Sequence, residues 1–244
     1  MASKPHSDEV YREKRITKNP IKFKLQLNDE QKEAKSTILD NTITLLAGSA
    51  GSGKTLLACN VALDGLLRNQ YSKIIITRPT VSKEEIGFLP GDLREKMDPW
   101  VQPIYQNFFS LYDKVKIEKL IEDGKIEIVP VSFMRGRTFL DSMIIVDEAQ
   151  NVTHDQMEMI TSRIGLRSKM MVCGDSKQTD LKNKSESGFK FLYAAAFKIR
   201  NLASITLNSN HRNEIVEALI EYYTDASDRG ITITTSGSNS RSKY

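Results

Sequence analysis

The sequence predicts an α/β sandwich, a single parallel β-sheet covered by helices on both faces. Three observations predict it. Short apolar runs rich in β-branched residues alternate along the chain with segments of helical period. These runs have no polar face, as strands require when helices cover both sides of a sheet. The first of them, Thr42-Ile43-Thr44-Leu45-Leu46-Ala47, leads directly into a glycine-rich turn and then a helix-forming stretch. With 244 residues, 39% of them hydrophobic and 27% charged, the chain is sized for one sizeable domain or at most two small ones.

The elements can be read in order. Residues 1–26 read as a basic arm. Lys4, Arg12, Lys14, Arg15, Lys18, Lys22 and Lys24 outnumber Asp8, Glu9 and Glu13, so this arm carries the whole formal charge of +4 and the rest of the chain is balanced. Such an arm can lie along a phosphate backbone or remain a solvated leader. A helix is predicted over Asp29–Leu39 with Asn28 as N-cap, then the strand at 42–47, and a second helix from Lys54 to about Arg68. Lys73–Thr77 is a second buried strand, stopped by Pro79. Thr80–Pro103, rich in proline, glycine and charge, is expected to be dominated by loop, with helical segments following to Glu122.

Lys125–Val129 is a strand after the turn at Asp123-Gly124, and Met143–Val146 another. Thr153 and Gln156 have capping-box spacing, so a helix should begin there and run to about Ile164. Lys169–Cys173 (strand), Phe189–Ile199 (helix) and Ser204–Leu207 (strand) follow. A last helix, about Glu214–Tyr223, puts Ile215, Val216, Leu219, Ile220 and Tyr223 on one face. The expected core domain thus covers 27–224, and the Ser-, Thr- and Gly-rich residues 225–244 read as a flexible tail, with Ile231–Thr235 a candidate edge strand.

Several classes are excluded or disfavoured. No apolar run approaches the roughly 18–20 residues that cross a bilayer. The N-terminus lacks the apolar core of a secretory signal, so the expected compartment is the cytoplasm. Cys59 and Cys173 form no CxxC, and His6, His154 and His211 are scattered, so neither a disulfide scaffold nor a zinc site is expected.

The chemistry lies in the turns that follow the strands. Gly48-Ser49-Ala50-Gly51-Ser52-Gly53-Lys54-Thr55 fits the phosphate-loop pattern GxxxxGK[ST] between a strand and a helix. Its glycines let main-chain N–H groups wrap a phosphate at the positive end of a helix. Lys54 is expected to reach the β- and γ-phosphates of a bound nucleotide, and Thr55 to offer its hydroxyl to Mg²⁺. The strand Met143–Val146 ends in Asp147-Glu148. Asp147 suits the Mg²⁺ shell, and Glu148 suits orienting a water for in-line attack, which favours hydrolysis over transfer to an acceptor.

Val172-Cys173-Gly174-Asp175-Ser176-Lys177-Gln178 is a third strand ending in polar groups, and Gln178 is placed to report on the γ-phosphate or else to sit in an ordinary polar turn. Gln31 has two readings. Its amide can pair both edge groups of adenine, or, three residues beyond Asn28, it can cap the helix. Arg212 can bring positive charge to a transferring phosphate or simply start a helix.

Taken together, Gln31, Gly48–Thr55, Thr77-Arg78-Pro79, Asp147-Glu148-Ala149-Gln150-Asn151, Gly174–Gln178 and Asn210-His211-Arg212 resemble the first RecA-like domain of superfamily 1 helicases. More narrowly, GFLPGDL at 87–93, EKMDP at 95–99 and FMRGRT at 133–138 resemble the PhoH family, and the likeness extends from about Leu27 to Tyr223. The resemblance implies a RecA-like phosphate-loop NTPase with ATP and Mg²⁺ as ligands, ATPase activity, a link to single-stranded RNA and ring-like homo-oligomers, a hexamer being the leading form. It assigns Lys54 and Thr55 to phosphate and Mg²⁺, Asp147 and Glu148 to metal and water, and Gln178 to the γ-phosphate. It also raises Gln31 as adenine reader and Arg212 as arginine finger, and it puts Arg135 and Arg137 in a segment that faces nucleic acid in related helicases.

The sequence departs from the helicases in having no length for a second RecA-like domain. The expectation is that neighbouring subunits replace it, with Arg212 acting in trans. A nucleotide-gated scaffold with little turnover and a phosphate-loop kinase are the alternative functions.

Overall fold

The computed structural model describes residues 23, 24, 26–79, 93–175, 181, 186–209, 215, 216, 218, 219, 222 and 223. The arm at 1–22, the motif at 87–92, Gln178, Arg212 and the tail with its candidate edge strand lie outside the described residues. The chain divides into two units, Met1–Ser209 and Asn210–Tyr244. In the second unit the described residues are helical, and Tyr222 and Tyr223 meet edge to face with ring centroids 6.3 Å apart.

The first unit runs α1 (Asp29–Asp40), β1 (Ile43–Gly48), α2 (Lys54–Leu67), β2 (Lys73–Thr77), α3 (Leu93–Leu111), α4 (Lys114–Glu122), β3 (Ile126–Ile128), β4 (Ser142–Val146), α5 (His154–Thr161), β5 (Lys169–Gly174), α6 (Gly188–Ala195) and β6 (Leu202–Leu207). The six strands form one sheet in the order β3-β2-β4-β5-β1-β6, and every pairing is parallel. The predicted α/β sandwich is therefore the observed fold.

Side chains alternate between two cores, one on each face of the sheet. Leu46, Ile74, Ile76, Met143, Ile145, Met171 and Cys173 pack with Ile38 of α1, Leu57 of α2 and Phe108 of α3. Leu45, Ile75, Ile144, Val146, Met170 and Val172 pack with Met157 of α5 and Phe189 of α6. This is the two-residue period of strands buried on both sides, and it explains why the central strands β1, β2, β4 and β5 show no polar face, whereas the edge strands β3 and β6 are only partly buried.

One expectation is corrected. Residues 93–103, read as loop, are the first half of α3, which holds Pro99 and Pro103 within it. An internal proline costs a helix about 3 kcal/mol through its missing N–H and its clash with the preceding turn. Burial outweighs that cost here, because Val101, Ile104, Phe108 and Leu111 recur at helical spacing and are all buried. Two helices also end earlier than predicted, α5 at Thr161 and α6 at Ala195. After α6 the chain turns through Asn201, whose φ is +64° and whose carbonyl accepts from the N–H groups of Thr42 and Ile43. That turn brings β6 in two residues earlier than the sequence suggests.

The helix starts are closed locally. Asn28 and Gln31 form a full capping box on α1, and Thr153 and Gln156 form one on α5. Such caps contribute about 1 kcal/mol each. Between α1 and α2, Asp64 accepts hydrogen bonds from Lys35 at 2.7 Å and Arg68 at 2.6 Å. Burial alone would raise the Asp64 carboxyl pKa, but the bonds and charges of Lys35 and Arg68 outweigh it and hold the group below its usual range. Among the described residues, no helix is long and apolar enough to cross a membrane.

Two tests follow from this packing. A folded-state pKa held low adds stability above the unfolded-state value and loses it as pH falls through the folded one. Asp64→Asn should therefore lower stability at neutral pH by about 1 kcal/mol, and the gap to wild type should close below about pH 4 in urea titrations. At Gly188, an added Cβ would lie 2.5 Å from the Met157 Cβ and 2.7 Å from the Thr153 carbonyl oxygen. Gly188→Ala should thus destabilise by about 1–3 kcal/mol, although alanine is the better helix former. A raised melting temperature would show that α5 and α6 pack more loosely than this.

Candidate functional site

The carboxyl ends of the parallel strands gather on one edge, and the turns leaving β1, β4 and β5 meet there. β1 ends at Gly48, where φ is +152° and an added Cβ would stand 2.5 Å from the Leu207 carbonyl oxygen. Only glycine lets the loop leave β1 this close to β6. Gly51 and Gly53 also have positive φ, +89° and +82°.

α2 starts differently from α1 and α5. Its N-cap is Gly53 and makes no side-chain cap hydrogen bond, and its first turn holds no acidic residue. α1, by contrast, has a full capping box with Asp29 and Glu30 in its first turn. The start of α2 therefore has its helix-dipole charge without a side chain to answer it, the condition under which a helix N-terminus takes an anion. Lys54 folds over the loop, and its ammonium donates to the carbonyl oxygens of Gly48 and Ser49 at 2.8 Å each.

The Thr55 hydroxyl donates to Asp147 Oδ1 at 2.7 Å, joining the loop to the tip of β4. Asp147 is 6% exposed, and its N–H donates to the Thr77 carbonyl of β2 at 2.8 Å. Burial pushes the Asp147 carboxyl pKa up and the Glu148 charge adds to this, while the Thr55 hydroxyl and the Arg78 charge pull the other way. The net shift is upward, as expected of a carboxylate buried without a full countercharge. A buried carboxylate beside a hydroxyl is a pair of hard oxygen ligands, and these suit Mg²⁺, which takes few protein ligands and keeps several waters. Among the described residues no group of three or more His, Cys, Asp or Glu side chains is placed to hold a metal.

Glu148 takes a left-handed backbone conformation, φ +49° and ψ +39°, and caps a short 3-10 turn at Ala149–Asn151. Its Oε1 lies 3.7 Å from Arg78 Nη2, and its Oε2 accepts from Gln150 Nε2 at 2.6 Å. Gln150 Oε1 in turn accepts from the N–H of Asp175 at the tip of β5, 3.1 Å away. Cys59 and Cys173 are buried beneath this edge, where burial raises their thiol pKa values well above the ordinary range and keeps them protonated.

The structure thus brings Gly48–Thr55, Asp147 and Glu148 into one site. Gln31 stands in the capping box: its N–H donates to Asn28 Oδ1 at 2.8 Å and its Oε1 accepts from the Asn28 N–H at 3.2 Å. Arg137 makes a bidentate pair with Glu127 at 2.8 and 3.0 Å and lies over the Phe139 ring. Arg135 is exposed, two residues beyond Phe133, which is 59% exposed.

Three site residues carried no assigned role in the sequence reading. Arg78 and Gln150 sit inside recognised motifs. Glu30 accepts from the main-chain N–H groups of Asn208 and Ser209 and from the Ser209 hydroxyl, tying the exit of β6 to α1. A polar residue inside a strand-to-helix turn was the available signal for Gln150, but its partners are set by the fold.

Residues 25–224 match the family of PhoH-like proteins. A PhoH-like protein of Synechocystis sp. is 40% identical over 196 residues, covering 79% of this chain and 60% of that protein. A PhoH-like protein of Bacillus subtilis is 39% identical over 215 residues, covering 86% of this chain and 67% of the relative. The chain spans roughly three fifths of the first of these and two thirds of the second. The large terminase of a thermophilic bacteriophage shares the fold at 13% identity, with a TM-score of 0.52 over 81% of this chain and 50% of that one. A family match that runs from before α1 to residue 224, with two fifths identity to relatives across most of that span, makes this protein a member of the PhoH-like family.

Proposed function

We propose that the protein binds and hydrolyses ATP with Mg²⁺, and that hydrolysis is coupled to single-stranded RNA in a ring-like homo-oligomer. The observation that carries the ATPase reading is the Thr55–Asp147 hydrogen bond, which puts the phosphate loop and the β4 acid pair in one site. In this reading the main-chain N–H groups of the loop and of the first turn of α2 bind the phosphates. Lys54 exchanges its loop carbonyl partners for phosphate oxygens. Thr55 and Asp147 would hold Mg²⁺, which when bound neutralises phosphate charge and polarises the phosphorus–oxygen bonds. Glu148 orients the attacking water and accepts its proton.

Gln31 already serves as a cap, so reading both edges of adenine requires its Oε1 to leave the Asn28 N–H. Gln178 remains the proposed γ-phosphate sensor and Arg212 the proposed arginine finger from a neighbouring subunit. RNA contact is assigned to Arg135 with Phe133, because both are exposed in the β3–β4 connection, the segment that the resemblance sets against nucleic acid. Arg137, held by Glu127, serves the fold in this reading.

Phosphate release with and without single-stranded RNA tests the enzyme. Lys54→Ala should abolish ATP binding, while Glu148→Gln should keep binding and lower kcat about 10²- to 10⁴-fold. ATP binding without release in the wild type would leave a nucleotide-gated scaffold. For RNA, Arg135→Ala should weaken binding and reduce the salt slope by about 1, whereas Arg137→Ala should lower the melting temperature and leave RNA affinity unchanged. The opposite pattern would place the RNA path elsewhere.

A further inference from the structure

Gln150 is 6% exposed, and both ends of its amide are in use. Nε2 donates to Glu148 Oε2 at 2.6 Å, and Oε1 accepts from the Asp175 N–H at 3.1 Å. Only this orientation of the amide satisfies both neighbours, since reversing it would set two acceptors against each other at the carboxylate and two donors at the amide N–H. Its main chain is held as well. The Ser187 hydroxyl donates to the Gln150 carbonyl oxygen at 3.1 Å, and the next turn is closed by Gly188 N–H to the Val152 carbonyl at 2.9 Å. Gln150 therefore joins three elements: the tip of β4 through Glu148, the tip of β5 through Asp175 and the start of α6 through Ser187.

Glu148 needs such a partner. Its side chain is 42% exposed, and Arg78 is at 3.7 Å, beyond a direct hydrogen bond. A carboxylate on a flexible stem at a half-open edge samples several rotamers, and a catalytic group displaced by about 1 Å can lose 10²-fold in rate. A short bond from a buried amide holds one oxygen and leaves the other to meet a water. We infer that Gln150 is a positioning residue for Glu148, setting the direction of its carboxylate from the tip of β5. This rests on the ATPase reading above and deepens it. The residue touches no substrate; it acts through Glu148.

The test uses the full chain with Glu148→Gln, Gln150→Glu, Gln150→Met and the double variant Glu148→Gln/Gln150→Met. Three quantities are read: steady-state phosphate release, affinity for a fluorescent ATP analogue, and melting temperature. Gln150→Glu keeps the acceptor for Asp175 and loses the donor to Glu148. Gln150→Met keeps length without charge and loses both. Each single Gln150 variant should lose roughly 10- to 100-fold in kcat with ATP affinity within about twofold of wild type. In the Glu148→Gln background, Gln150→Met should cost nothing further.

Turnover within about twofold of wild type in either Gln150 variant overturns the inference. So does a further loss in the double variant, which would mean that Gln150 acts on something other than Glu148. So does a kcat loss matched by an equal loss of affinity and a fall in melting temperature, which marks a structural role alone. A wild type that releases no phosphate, or a Glu148→Gln variant at full turnover, defeats the ATPase reading instead, so the two failures are distinguishable.

Discussion

Two strand spacings separate β1 from β4 in the sheet, about 10 Å, yet a side chain at the start of α2 touches the tip of β4. The hydrogen bond between Thr55 and Asp147 closes that gap. It requires α2 to leave β1 at an angle that carries it over β5, and the glycine loop before it is what permits the exit. It also requires β4 to end level with the loop, which the parallel register through β5 secures. The union of loop and acid pair in one site depends on this closure. Without it, a phosphate grip and an acid pair would be separate features of one sheet.

Much of this was legible in the sequence, because most of it is local. Strands buried on both faces look continuously apolar, and the four central strands β1, β2, β4 and β5 are readable on that ground. The phosphate loop is a contiguous pattern whose strand and helix flanks confirm it. Capping boxes are also local: the same spacing read at Thr153 and Gln156 appears at Asn28 and Gln31, where the structure has the capping arrangement. The parts that escape a sequence reading depend on distant partners. Glu30 binds the chain at 208 and 209, Gln150 binds at 175, and no local pattern encodes either contact. Residues 93–103 read as loop because two prolines outweigh, in a local reading, an apolar stripe whose partners lie in α2.

The backbone also separates the two edges of the sheet. Among the described residues, the non-glycine positions with positive φ are Asn69, Asp141, Glu148, Arg167 and Asn201. Asn69, Asp141, Arg167 and Asn201 each stand within about four residues of the start of β2, β4, β5 or β6, at the edge away from the loop. They make tight turns into strands. Glu148 alone of the five lies at the edge that holds the chemistry, where no strand is about to begin. Thr77 adds a buried hydroxyl without a hydrogen-bond partner at the same edge. Conformational and polar costs of this kind persist where surrounding packing can carry them, and they tend to concentrate where a protein works.

The posture of Lys54 has a consequence for selectivity. Its ammonium already holds two loop carbonyls. An incoming anion therefore competes with partners already in place, and the lysine contributes only the difference between two sets of charge-assisted bonds. A small, weakly charged anion offers little over those carbonyls. A polyphosphate chain offers more, because it engages the loop amides and the lysine together. If the loop takes a nucleotide as proposed, those two carbonyl contacts favour ligands that present several phosphates over one that presents a single phosphate.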